Sequence, residues 1–420
     1  MKPKILSEAF AEFCETRSHF DSLLSKVDPG QKSRVAGLLG AFLRRPWTIA
    51  SHFKIRLESS PEEFWEHNFI RLKKHPGIHS TLSEMWEHWK DIPREGGVSD
   101  FPPELVKSWE RDWGVEASGK LARLLSQDPL TTLRFHRRAY QESGELRPDV
   151  QTWLNGTTLP KSRAGNWFAK ARVFKGYATV QRNELYHQGY FEIQDEGSQF
   201  MSVFSLFPGQ AGTILGDSPV VEKREHPTLP ADLRSDGLRV IDACAGAGGK
   251  SLAISDLMGG RGQVFSYDIY EKKIKSLKLR LERAHENNIK AVVLPTGNDT
   301  FLDSFRNSAD VVLVDSPCSG HGVLRRNPDI KWNRKPLSLP KGQAERPIND
   351  LQREILSGYS TLVKPGGRVV YGVCTFHREE TTAAVARFLG ENTGFELETM
   401  GFIGPYDTDG FFMASLKRKK

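Results

Sequence analysis

Cysteine is scarce in this chain of 420 residues: there are four, with no CxxC pair and no Cys/His set at metal-ligand spacing. That excludes a disulfide-stapled scaffold and a structural zinc module, and it suits a reducing cytoplasmic compartment. Long apolar runs are also missing. The opening residues, MKPKILSEAFAEFCETR, read as polar and helical without a signal core, and no uncharged stretch is long enough to cross a bilayer. The GxxxxGK[ST] spacing of a Walker loop is absent, and so is any internal repeat.

What the chain does have is positive charge. Lys and Arg number 59 against 52 Asp and Glu, a net +7, and the basic residues recur in every region. This balance favours a polyanionic partner. The length calls for two or three domains.

Residues 1–130 carry apolar side chains at helical spacing, as in Val35, Leu38, Leu39, Phe42 and Leu43, and again in Leu105, Trp109 and Trp113. An all-helical domain is expected, with Ser60-Pro61-Glu62-Glu63 as one helix start. Residues 131–207 change to short β-like pieces, giving a small α/β module. In it Arg134, Arg137, Arg138, Lys161, Arg163, Lys170, Arg172 and Lys175 interleave with Trp153, Trp167, Phe168 and Phe174, a mixture suited to phosphates and stacked bases. The alternative is a solvated face over a small core. Residues 208–237 are rich in Gly, Pro and charge and read as a linker or extended loop. From 238 to 420, buried-type runs (GLRVIDA, GQVFSYDI, KAVVLPT, DVVLVDS, RVVYGVC) alternate with helical segments, which predicts a doubly wound, mainly parallel α/β sheet.

The functional groups of such a sheet belong at the carboxyl ends of its strands, and the motifs fall there. Asp242-Ala243-Cys244-Ala245-Gly246-Ala247-Gly248-Gly249-Lys250 is a strand-to-helix glycine turn, able to bring backbone close to a ligand. The next strand ends in Asp268, an acceptor for ribose hydroxyls, and Asp299 follows the third within Gly297-Asn298-Asp299, near where an adenine amino group would sit. These point to an adenosine-containing cofactor. The fourth strand ends in Asp315-Ser-Pro-Cys318-Ser-Gly320. After it, Arg325 to Trp332 read as a basic loop suited to phosphate, and the fifth strand ends in Tyr371-Gly-Val-Cys374-Thr375. Two thiols at the ends of neighbouring strands, with Asp315 between them, suggest covalent catalysis. Buried inert cysteines are the other reading, and Cys14, on a face with Phe10 and Phe13, reads as core.

Residues 191–412 resemble the RNA cytosine-5 methyltransferases that include the NusB-fused rRNA enzymes and the NOP2/Sun proteins. The matching pieces are Ile193-Gln-Asp-Glu-Gly-Ser198, the glycine turn, Asp268, the DSPCSG loop, RRNPDIKW, Leu351-Gln352, Lys364-Pro-Gly-Gly367, the Cys374 motif and Asp409-Gly-Phe-Phe412. The resemblance implies a class I Rossmann-like methyltransferase domain, S-adenosyl-L-methionine as cofactor and RNA as partner, most simply small-subunit rRNA or a precursor particle, with no DNA or membrane partner. It implies that Cys374 is the nucleophile, that Cys318 assists breakdown of the adduct, that Asp315 holds the cytosine edge and that Lys250 contacts the base and cofactor region. The cofactor shell it implies is Cys244 to Lys250, Asp268, Asp299 and Asp315. DNA cytosine-5 enzymes resemble this mechanism but use the Pro-Cys thiol alone, so two cysteines point to RNA. The helical region resembles the NusB-like portion weakly. Gly246-Ala247 and Gly372-Val373 depart from the family's usual Ala-Pro and Ser-Thr. A tRNA substrate, or an inactive RNA-binding assembly factor, are the competing readings.

Overall fold

The computed structural model of the chain describes residues 2–16, 27, 31–54, 76–88, 90–156, 162–165, 171–175, 180–220, 235, 237–294, 302–332 and 347–420. The helix start expected at Ser60 and the Asp299 site fall outside these residues, as does the side chain of Cys14. The chain divides into two compact units, Met1–Pro129 with Gly320–Pro336, and Leu130–Ser319 with Leu337–Lys420.

In the first unit, helices span Lys2–Thr16, Lys32–Arg44, Pro46–His52, Pro76–Glu87, Pro103–Trp113 and Val115–Ser126. Pro46 and Pro103 stand in first turns, where a missing N–H has no helical partner to lose. Leu6, Phe10, Val35, Leu39, Phe42 and Leu82 pack into one core, as the helical spacing predicts. Trp332 belongs to the same core, within 6.5 Å of the rings of Phe10, Phe13 and Phe42.

This corrects the reading of Arg325 to Trp332 as a phosphate-binding loop. Arg325, Lys331 and Trp332 are buried. The last turn of Lys32–Arg44 leaves carbonyls without helical donors. Lys331 Nζ donates to Arg44 O at 2.6 Å and to Asp100 O at 2.7 Å, and Trp332 Nε1 donates to Leu43 O at 2.9 Å. Burial pulls the Lys331 pKa down to about 7; the Asp100 carboxylate opposes this, and Arg44 and Arg45 reinforce it. Arg325 donates to Asp128 O at 2.8 Å. Arg325 and Lys331 serve the helical core instead of an anion.

The second unit begins with a small antiparallel sheet of β1 (Leu130–Phe135), β2 (Ser162–Ala164), β3 (Arg172–Lys175) and β4 (Phe191–Ile193), ordered β2-β3-β1-β4. Its core holds Leu133, Val150, Phe174 and Phe191, with Trp153 stacked on Phe191 at 4.8 Å. Trp153 and Phe174 are therefore committed to packing and are not open platforms for bases. Trp167 and Phe168 lie outside the described residues.

The large sheet has seven strands: β5 (Arg239–Asp242), β6 (Gln263–Asp268), β7 (Ile289–Val293), β8 (Ala309–Asp315), β9 (Val363–Val373), β10 (Phe395–Ile403) and β11 (Phe411–Arg418). Their order is β10-β11-β9-β8-β5-β6-β7. Strands β5 to β9 pair in parallel, while β11 runs antiparallel to both β9 and β10. Helices Gly249–Leu257, Glu271–Ala284 and Ile348–Ser360 fall where the sequence places helical segments. Because β6 flanks β5 on one side and β8 on the other, the order reverses at the carboxyl end of β5, the switch point where such sheets bind ligands.

Candidate active site

The glycine turn leaves β5 at that switch point. Gly246 and Gly248 take φ of +55° and +84°, backbone that side-chain-bearing residues adopt with strain. A Cβ on Gly248 would also fall 2.0 Å from Leu277 Cδ1, so this glycine lets the turn close onto the neighbouring helix. In front of Gly246 nothing lies within 4 Å of where a Cβ would stand. Asp268 ties the turn to β6: its Oδ2 accepts from Gly246 N and its Oδ1 from Tyr270 N, both at 2.9 Å. Asp242 is fully buried, takes the Ser251 hydroxyl on Oδ2 at 2.6 Å, and leaves Oδ1 without a hydrogen-bond partner. Burial pushes the Cys244 thiol well above its ordinary pKa, and the carboxylates of Asp315, Asp268 and Asp242 add to the effect. Cys244 is thus a neutral thiol.

Lys250, in the first turn of helix Gly249–Leu257, reaches across to Asp315 at the end of β8, with Nζ 2.6 Å from Oδ2. Burial disfavours its ammonium, but the charge and hydrogen bond of Asp315 outweigh burial and raise the pKa, with Asp242 and Cys374 helping. Register pairs Asp315 with Gly372, so the loops after β8 and β9 leave the sheet side by side. Cys318 and Cys374 meet there, their sulfurs 3.2 Å apart as free thiols. Cys318 is buried and Cys374 partly exposed. Gly372, one of the departures from the family pattern, has a packing reason: a Cβ there would stand 2.5 Å from Met201 Cε.

The structure brings Cys244 to Lys250, Asp268, Asp315, Cys318 and Cys374 to the carboxyl ends of adjacent strands; Asp299 is outside the described residues. Sequence reasoning missed Glu380 and the partnership of two motifs. Asp195 Oδ1 accepts from Gly197 N and Asp409 N and contacts the Thr408 hydroxyl, so Ile193–Ser198 and Asp409–Phe412 form one structure. Phe411 from it lies 5.8 Å from Lys250 Nζ. The co-occurrence of the two motifs is the only signal the sequence offers.

The small module's arginines are differently employed than expected. Arg134 pairs with Asp256, Arg137 with Asp256 and Glu286, and His136 Nε2 lies 2.5 Å from Glu286 Oε1. Burial works against the Glu286 charge, yet hydrogen bonds from His136, Arg137 and Ser255 bring its pKa down to about 2. Ligand atoms of His136, Asp256 and Glu286 lie within 4.8 Å of one another, a metal-like grouping. Two guanidiniums already balance its carboxylates, so the cluster acts as an ionic joint between the small sheet and helix Gly249–Leu257 and the chain just past helix Glu271–Ala284, which flank the large one.

Residues 232–417 match the family described as 16S rRNA methyltransferase RsmB/F. This segment is a methyltransferase domain of that family. A probable ribosomal RNA small subunit methyltransferase B of Bacillus subtilis (strain 168) is 28% identical over 418 residues, covering 89% of this chain and 83% of its own length. The enzyme named ribosomal RNA small subunit methyltransferase B in Klebsiella pneumoniae (strain 342) is 33% identical over 199 residues, 45% of this chain and 44% of the relative. Among solved structures, PH0851 aligns over 100% of this chain and 99% of its own, with a TM-score of 0.67 and 18% identity. NSun6 from Pyrococcus horikoshii with SFG aligns over 76% of this chain and 99% of its own, with a TM-score of 0.58 and 15% identity, a likeness of fold. The methyltransferase domain uses S-adenosylmethionine, and the residues present fit it: an open glycine turn, an acidic residue closing the second strand and an orphaned carboxylate oxygen at Asp242. Among the described residues no helix is long and apolar enough to cross a membrane.

Proposed function

We propose that this chain is an RNA cytosine-5 methyltransferase acting on small-subunit rRNA through a covalent thiolate adduct. One observation carries the reading: free thiols of Cys318 and Cys374 stand 3.2 Å apart beside the Lys250–Asp315 pair at the carboxyl ends of β8 and β9. The relatives named for small-subunit rRNA support the substrate.

Cytosine C5 is a weak nucleophile until an electron pair is pushed into the ring. In this reading the Cys374 thiolate adds to C6 while a proton from the Lys250 ammonium passes through Asp315 to cytosine N3, so that the Asp315 carboxyl holds the cytosine edge as a donor and the electron-rich ring is neutralised. Lys250, which interacts electrostatically with Cys374, supplies the positive charge that an anionic sulfur needs. S-adenosylmethionine supplies an electrophilic methyl group. Once C5 is methylated, water takes the C5 proton, that C–H electron pair forms the C5–C6 double bond, and the C6–S bond breaks with its electrons returning to Cys374 as thiolate, which restores the aromatic ring. Cys318, beside that sulfur, assists this breakdown. The cytosine must leave any stack to expose C6, so the target is single-stranded or remodelled RNA. Arg138 on the small module is a proposed phosphate contact; Arg134, Arg137 and Arg163 are withdrawn from that role by their ion pairs with Asp256, Glu286 and Asp407.

The test is methyl transfer to RNA from cells lacking the gene, with the product digested to nucleosides. 5-Methylcytidine in small-subunit rRNA is expected. Cys374→Ala abolishes turnover, while Cys318→Ala permits attack and leaves RNA attached to protein. Full turnover by Cys374→Ala would refute the assignment, and label confined to tRNA would move the substrate.

A further inference from the structure

Nothing in the reaction above uses Glu380, yet this carboxylate is 3% exposed and closes a set of polar contacts around the Cys318 turn. Its Oε2 accepts from Ser319 N and from Gln352 Nε2, each at 2.9 Å. The same Gln352 amide donates to Pro317 O at 2.9 Å. Cys318 is thereby bracketed, with the residue before it held by its carbonyl and the residue after it by its amide. Ser319 Oγ lies 2.7 Å from Thr375 Oγ1, which ties this turn to the residue following Cys374. The Tyr371 hydroxyl donates to Glu380 O at 2.8 Å and anchors the short helix Arg378–Glu380 against β9.

Among the described residues no lysine, arginine or histidine makes an ion pair with Glu380. A carboxylate this deeply buried is expensive without a cation, so its hydrogen bonds to two N–H donors have to hold something of consequence. What they hold is the position of one thiol relative to the other. Resting on the roles given above to the two cysteines, we infer that Glu380, through Gln352 and Ser319, is a positioning residue that sets Cys318 against Cys374. It touches neither the base nor the methyl donor. Its effect falls on the step that Cys318 serves, adduct breakdown, and not on RNA or cofactor binding.

Two variants of the full-length protein separate the bracket from mere charge or bulk. In Glu380→Gln one amide oxygen still accepts from both Ser319 N and Gln352, so the bracket survives. In Glu380→Ala both donors lose their acceptor and the turn is released. The first readout is the iodoacetamide alkylation rate of each cysteine, followed by peptide mass spectrometry. Glu380→Ala is expected to accelerate alkylation of Cys318 and leave Cys244 unchanged, with Glu380→Gln close to the parent. The second readout is steady-state methylation together with covalent RNA adduct. Glu380→Ala is expected to lower kcat by about tenfold to a hundredfold, the scale of a small misplacement, with adduct accumulating and KM for RNA falling alongside kcat so that kcat/KM stays close to the parent. An unchanged Cys318 alkylation rate overturns the proposal. So does a Glu380→Gln protein as defective as Glu380→Ala, or Cys244 accelerating in step with Cys318, which marks general loosening. If the parent protein makes no 5-methylcytidine, the reading of the reaction fails, and the alkylation rates still decide the bracket.

Discussion

At the scale of single residues, the site is a place where burial and charge are set against each other. Lys250 and Asp315 resolve the conflict by pairing, whereas Asp242 resolves it by holding a proton. Burial pushes the Asp242 carboxyl up to about 7; the Ser251 hydroxyl opposes this and the Asp315 charge reinforces it. An unfolded Asp loses its proton near pH 4. Between about pH 4 and about pH 7 the folded state therefore binds a proton that the unfolded chain has released, and stability falls as pH rises through that window. Above about pH 7 the loss is complete. Asp242→Asn removes the titration while its side-chain oxygen still accepts from Ser251. Urea midpoints measured without cofactor at pH 5 and pH 8 are expected to fall further in the parent than in the variant. An identical fall in both would show that Asp242 is not the titrating group.

At the scale of elements, the segment Arg325 to Trp332 is a strut of the helical core. Replacing Trp332 by Ala removes a ring packed within 6.5 Å of three phenylalanines and the donor to Leu43 O. The loss should be about 3–5 kcal/mol, the usual cost of truncating a large buried aromatic. Far-UV circular dichroism during urea titration should report it in the helical signal, and a loss under about 1 kcal/mol would mean that the indole is not a core residue. The sequence could not reveal this element, because a run with three basic residues and a proline reads as a polar loop until its carbonyl partners, 197 to 289 positions away, are known. The same limit hid the bracket at Glu380 and the pairing of Arg134 and Arg137 with Asp256 and Glu286, all of which depend on distant residues meeting. Strand β10 escaped for a different reason: from Phe395 to Met400 it is mostly exposed or half-buried and lacks the apolar run of the parallel strands. The parallel strands, the glycine turn and the two thiols were legible because each is local. Buried strands are apolar throughout, and the site motifs lie immediately after their ends.

At the scale of the molecule, the helical unit is not a contiguous appendage. It is completed by Gly320–Pro336, which begins two residues after Cys318. Removing Met1–Pro129 would strip Lys331 of its Arg44 and Asp100 carbonyls and Trp332 of its aromatic neighbours. A protein shortened to 130–420 is thus expected to be cleaved first between residues 320 and 332 in limited proteolysis, at sites that the full chain protects. The pH dependence of that protection follows from Lys331. Its folded pKa of about 7 lies below the unfolded value near 10.4, so above about pH 7 the unfolded state binds the extra proton. Stability of the helical unit then rises with pH from about 7 to about 10, opposite in slope to the Asp242 effect at lower pH. In the full chain, cleavage within 320–332 should slow between pH 7 and pH 9 relative to an unstructured peptide control, and Lys331→Met should abolish that trend. Equal protection in the shortened protein would mean that the segment holds its structure without the helices, and the helical unit would then be a separable module after all.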